Sequence, residues 1–123
     1  MFLSRMFQFR SSNRDQETDR RRIALVEKAV RSAAAGAETE VAGLRTRISK
    51  ARTSLTCLLA RIEDGDREAR CRAELTKVER RLLAAEQRLA QMKEHLSRLR
   101  ELERLTAELT TATSNEAGRK VAA

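Results

Sequence analysis

Glu63-Asp64-Gly65-Asp66 is the stretch that decides the fold. A long helical pattern stops there and resumes at once with matching length. Gly65 can take φ > 0 at little cost, which suits the residue that ends a helix. Asp66 can cap the next helix by accepting a backbone N–H, and Glu68 adds negative charge to its first turn. Before the turn, apolar residues recur at Val41, Leu44, Ile48, Ala51, Leu55, Leu58 and Ile62. After it they recur at Cys71, Leu75, Val78, Leu82, Ala85, Leu89, Met92, Leu96 and Leu99. Steps of three and four alternate on both sides, as in a heptad seam. Two such stripes joined by so short a link must run antiparallel. The fold class read from the sequence is all-α, a long antiparallel coiled-coil hairpin.

With Val41 and Leu75 as position a, one register sets a against d at every layer. Ile62 faces Cys71, Leu58 faces Leu75, and Leu55 faces Val78. Ala51 faces Leu82, Ile48 faces Ala85, Leu44 faces Leu89, and Val41 faces Met92. Ala37 then meets Leu96 and Ala34 meets Leu99. Four of these layers set an alanine against a larger residue, which interdigitated packing requires. The flanking charges agree for Arg52 with Glu79, Arg45 with Glu86, Glu38 with Lys93, and Arg61 with Glu74. They clash for Arg47 with Arg88 and Arg31 with Arg100. Each exposed pair is worth only tenths of a kcal/mol, so the pairs support the register rather than hold it.

The remaining composition narrows the class. Proline is absent, aromatics are 2% and charged residues 36% of the 123-residue chain, which is the profile of a coiled coil. The formal net charge of +8 suits nucleic acid, anionic lipid or an acidic protein without choosing among them. Cys71 falls in the seam and Cys57 on an outer position. Two cysteines make no disulfide framework, so both are expected as free thiols in a reducing cytoplasm. No stretch approaches the ~20 apolar residues of a membrane span.

Taken in order, the chain divides at 1–13, 14–109 and 110–123. Every aromatic lies in Met1–Arg10. As a helix, Phe2, Leu3, Met6, Phe7 and Phe9 gather on one side, a pattern that docks on a membrane surface or in a groove. Ser11-Ser12-Asn13 breaks the pattern, and the first long helix is expected from about Asp15 or Thr18 to Asp64. Arg20, Arg21 and Arg22 are candidate phosphate contacts. In the N-terminal third, Glu27 and Arg20 interrupt the a column. Val26 and Ala33 at g take over, so the seam is expected to drift. The second helix is expected from Arg67 to about Leu109. Its stripe steps from Leu99 to Leu102, Leu105 and Leu109, a matching drift. Residues 110–123 read as a disordered tail.

The outer face of the first helix is smooth. Ala35, Gly36, Thr39, Ala42, Gly43, Thr46 and Ser49 stand where a solvated helix carries long charged side chains. Glycine inside a helix costs about 1 kcal/mol relative to alanine, so close approach of another helix is the expected compensation. Self-association through this face would also offset the lack of an enclosed core in a two-helix hairpin.

No catalytic constellation is present. The single histidine, His95, faces Glu40 in the proposed register, and one histidine with two distant cysteines builds no zinc site. Neither a phosphate loop nor a nucleophile elbow occurs. No enzyme activity, cofactor, metal or small-molecule substrate is expected. The expected function is a cytoplasmic interaction or scaffold protein, peripheral to a membrane or docked on a helical partner. The alternatives are a basic nucleic-acid accessory protein and a stalk-like rod of a larger machine. The start MFLSRMF, the hairpin and the tip from Gly65 to Leu75 look loosely similar to the phage-shock-protein A family, which implies membrane remodelling. The hairpin is also similar in outline to the stalk proteins of type III secretion ATPases.

Overall fold

The computed structural model describes the backbone of residues 2–65 and 69–122, and the side chains of residues 12–65, 69–116 and 118. Two helices make up the fold, α1 (Phe2–Glu63) and α2 (Ala69–Ala122), and they form the antiparallel hairpin. Between them, Asp64 and Gly65 make the turn. The Asp64 N–H donates to the Ala60 carbonyl at 3.0 Å, and the Gly65 N–H donates to the Ile62 carbonyl at 3.1 Å. Gly65 has φ +95°, the left-handed conformation a glycine reaches without Cβ strain. Those features stop α1 with the tightened last bond of a glycine-terminated helix. The expected cap at Asp66 and the charge at Glu68 lie outside the described residues.

Two contact units divide the chain, residues 35–97 and residues 1–34 with 98–123. In the first, Ala37, Val41, Leu44, Ile48 and Leu58 of α1 are buried, as are Cys71, Val78, Met92 and Leu96 of α2. Leu58, Cys71 and Val78 form one cluster, with Ala51, Leu55, Ile62 and Leu75 packed against it. These are the residues the three-and-four spacing places in the seam, and burying them supplies most of the hairpin's stability. The cross-helix ion pairs differ from expectation. Arg52 bonds Glu86 at 3.0 Å rather than Glu79. Arg88 bonds Glu40 at 2.9 Å. Its facing residue, Arg47, carries the same charge, and a long guanidinium stem reaches the carboxylate one heptad along instead. Glu40 is thereby engaged by Arg88 rather than by His95.

In the second unit the seam does not drift. Ile23, Glu27 and Val30 are half-buried in α1 and Ala34 is buried. In α2, Leu99, Glu103, Thr110 and Thr113 are half-buried and Thr106 is buried. The expected replacements face outward: Ala33 is exposed, Val26 is 53% exposed, Leu102 47%, Leu105 42% and Leu109 55%. The heptad therefore runs on unbroken through polar residues. Glu27 and the seam threonines are tolerated because each finds a partner. Glu27 accepts from Arg31 and from the Thr110 hydroxyl, both at 2.7 Å. The Thr106 hydroxyl donates to the Glu103 carbonyl at 3.0 Å. Among the described residues no buried side-chain N or O lacks a hydrogen bond, so the usual cost of a polar seam is removed.

Helix ends differ too. α1 passes through Ser11-Ser12-Asn13 without a break, and α2 continues beyond Leu109 to Ala122. Serine, asparagine and threonine disfavour a helix by only tenths of a kcal/mol each, and the chain has no proline to stop one.

Candidate interaction surfaces

The outer face of α1 is open as the sequence places it. Ala35, Gly36, Thr39, Ala42, Thr46 and Ser49 are exposed and Gly43 is half-buried. A Cβ built on Gly36 or Gly43 meets nothing within 4 Å, so no packing inside the chain calls for glycine at either position. The threonines show a feature that spacing alone does not carry. Thr39, Thr46 and Thr53 recur every seven residues. Each hydroxyl donates at 3.1 Å to the carbonyl four residues earlier, on Ala35, Ala42 and Ser49 respectively. Their donors are spent within the helix. A helix laid on this face would meet small groups and threonine hydroxyl protons already bonded within α1.

Arg20, Arg21 and Arg22 are all exposed. Arg21 bonds Glu17 at 2.9 Å and Arg22 bonds Asp19 at 3.3 Å, so two of the three are neutralised on their own helix. Arg20 instead borders a groove of about 210 Å³ with Gln16, Ile23 and Thr113. Glu17 and Asp19 thus serve as ion-pair partners of neighbouring arginines. The side chains of Phe2, Leu3, Met6, Phe7 and Phe9 lie outside those described, while their backbone belongs to α1.

Two grooves run between the helices in residues 35–97. One, of about 530 Å³, has Leu44, Ala51, Val78, Ala84 and Ala85 along it, edged by Arg47, Lys50, Arg81 and Arg88. The other, of about 710 Å³, is edged by Arg45, Arg52, Glu86 and Lys93, with the hydroxyls of Ser49, Thr53 and Thr56. Sequence reasoning missed the first groove as a feature. Its one signal was the clash of Arg47 with Arg88.

Side-chain chemistry on these surfaces is sparse. Among the described residues no three of His, Cys, Asp or Glu gather as a metal site. Cys57 is exposed, Cys71 is buried, and both are free thiols. His95 is exposed. The clearest electrostatic perturbation is at Glu101, whose carboxyl lies below the ordinary glutamate value. The hydrogen bond from Arg104 is the main cause, and its positive charge the second. Arg104 Nη2 is 2.6 Å from Glu101, and Nη1 is 2.5 Å from Glu108. The trio is fully solvated and is a surface ion-pair network. No helix among the described residues is long and apolar enough to cross a membrane. No family model, no curated protein and no solved structure matches this chain.

Proposed function

We propose that the chain is a non-enzymatic interaction protein, a helical hairpin that self-associates through the outer face of α1. Its N-terminal residues Phe2, Leu3, Met6, Phe7 and Phe9 dock it on a membrane surface or a helical partner, on the cytoplasmic side. The observation that carries this reading is the free space over Gly36 and Gly43. Two glycines weaken the helix they occupy, and a side chain at either place would meet nothing in their own chain, so their use lies outside it. The threonine hydroxyls turned onto Ala35 and Ala42 support the same reading, because a close helix contact excludes water and penalises an unpaired donor. A second hairpin on this face gives a four-helix assembly, which encloses apolar surface that two helices alone leave wet.

The test is solution mass. Ala42→Glu with Gly43→Arg places two long charged side chains in the contact. Sedimentation equilibrium is expected to show the monomer for this variant and a multiple of it for the wild type. A double variant with unchanged mass and melting temperature overturns the reading. Docking is tested separately, with Phe2→Ser and Phe7→Ser expected to abolish co-sedimentation with anionic liposomes at low salt.

A further inference from the structure

The geometry points to the groove edged by Arg47, Lys50, Arg81 and Arg88 as a docking site for an acidic amphipathic helix of a partner protein. The floor is apolar and shallow-sided because small residues stand where a full seam would carry large ones. Ala51 and Ala85 lie in the seam, and Ala84 lies beside it on the same flank. No Asp or Glu lines the groove. Arg88 is bonded to Glu40. Arg47, Lys50 and Arg81 have no carboxylate partner among the described residues. Arg47 and Arg88 face each other in the register, a like-charge pair that weakens the free hairpin.

The opposite groove shows that this is not the mere result of a basic chain. There Glu86 lines the groove and is bonded to Arg52, and the hydroxyls of Ser49, Thr53 and Thr56 stand beside Ile48, Leu89 and Ala90. One flank therefore carries a carboxylate of its own against its cations, and the other combines an apolar floor with cations and no lining carboxylate.

Both features together select the occupant. A phosphodiester backbone or an anionic headgroup would meet the cations and leave the alanine floor uncovered. A purely apolar helix would cover the floor and leave the cations buried beside it without counter-charge. An amphipathic helix with an apolar ridge and flanking carboxylates answers both. Arg47 and Lys50 are about one turn apart on α1, roughly 4.5 Å along its axis, so they call for carboxylates about one turn apart on a third helix laid along the groove. A second copy of this chain fits poorly. Its net charge is +8, and several of its exposed acids are held by its own arginines: Glu17 by Arg21, Asp19 by Arg22, and Glu101 with Glu108 by Arg104.

Fluorescence anisotropy on the full chain tests this. The probes are a labelled helical peptide with alanine and leucine at a and d and glutamate at e and g, its lysine counterpart, a single-stranded oligonucleotide, and vesicles containing phosphatidylglycerol. The glutamate peptide is expected to bind and the lysine peptide not to. Arg47→Glu with Arg81→Glu is expected to weaken the glutamate peptide at least tenfold. Arg70→Glu with Arg80→Glu, the same charge change on exposed α2 positions, is expected to alter it less than threefold. Ala84→Leu, which fills the floor without touching charge, is expected to weaken it as strongly as the double reversal. Circular dichroism confirms that each variant stays helical. Failure of the glutamate peptide to bind overturns the proposal. So does binding indifferent to Arg47, Arg81 and Ala84. Oligonucleotide or vesicle binding lost with Arg47→Glu but kept in Ala84→Leu would assign the cations to phosphate instead, and also overturns it.

Discussion

Replacing Gly36 and Gly43 with alanine should stabilise the single hairpin and weaken its self-association, two effects of opposite sign from one perturbation. Neither glycine has positive φ, and the added Cβ meets nothing within 4 Å. Each substitution therefore recovers the helix-interior difference between glycine and alanine, about 0.8–1 kcal/mol. Part of that gain arises because alanine restricts the unfolded chain. The pair should contribute about 2 kcal/mol, which for a chain of this size raises the melting temperature by roughly 6–10 °C. In the proposed assembly the same two methyl groups would stand between helices that approach through the gap. Association is a mass-action term, so the wild-type melting temperature should rise with protein concentration and that of the double variant should rise less. Thermal melts followed by circular dichroism across a hundredfold range of concentration resolve both effects. The variant should melt higher at the dilute end, and its advantage should shrink or reverse at the concentrated end. A lower melting temperature at the dilute end would refute the open space assigned to these positions. An equal gain at every concentration would refute the interface.

Other consequences can be measured on the same material. Gly65→Ala should destabilise the hairpin by about 1–2 kcal/mol, because φ +95° places a Cβ in the left-handed region; a neutral result in urea unfolding would show that the turn relaxes freely. Leu58→Ala should cost about 2–4 kcal/mol as a buried seam residue, whereas Leu83→Ala, 58% exposed, should change stability by less than about 0.5 kcal/mol. Comparable losses at both would put the seam on the wrong face. Glu101 should titrate below an ordinary glutamate in a carboxylate NMR experiment, returning toward it in Arg104→Gln. Because the folded pKa is depressed, its contribution to stability is present above the unfolded pKa and lost as pH falls through the folded one. An unshifted midpoint in the wild type would show that the Arg104 contact is not held in solution.

The hairpin was legible because two independent signals met at one place. Apolar residues alternated by three and four on both sides of Gly65, and only a reversal there lets the stripes from Ala34 to Ile62 and from Cys71 to Leu99 cover each other. The ion-pair partners were less legible for a physical reason. Residues on one flank of an antiparallel pair have two candidate partners a heptad apart, and a guanidinium stem spans either. Repulsion from Arg47 explains why Arg88 takes Glu40; no comparable local rule in the sequence distinguishes Glu79 from Glu86 for Arg52. The smooth face of α1 was readable from residue types, but the inward turn of the Thr39 and Thr46 hydroxyls is a rotamer choice that residue type leaves open. The alanine-floored groove gave only its charge clash. Its floor is a property of two helices together, and no single stripe displays it.

The unbroken seam among Ile23–Ala34 and Leu99–Thr113 carries the most general lesson. Hydropathy favoured a shift toward Val26, Ala33, Leu102 and Leu109, and the helices do not make it. A shift of seam requires both helices to rotate together against the phase they hold, which interrupts packing over a turn or more. Keeping phase requires only that the polar residues swept into the seam be satisfied locally. Glu27 is held by Arg31 and Thr110, and Thr106 by the carbonyl of Glu103. Each of those bonds lies in or next to the seam and spans at most one helix-to-helix step. The local cost of Thr106 at 7% exposure is therefore small, while the cost of changing phase is spread over every neighbouring layer. Which way a side chain faces is then decided by the phase it inherits rather than by its own hydropathy. That is why Leu109 lies outside and Thr110, its neighbour, lies in the seam.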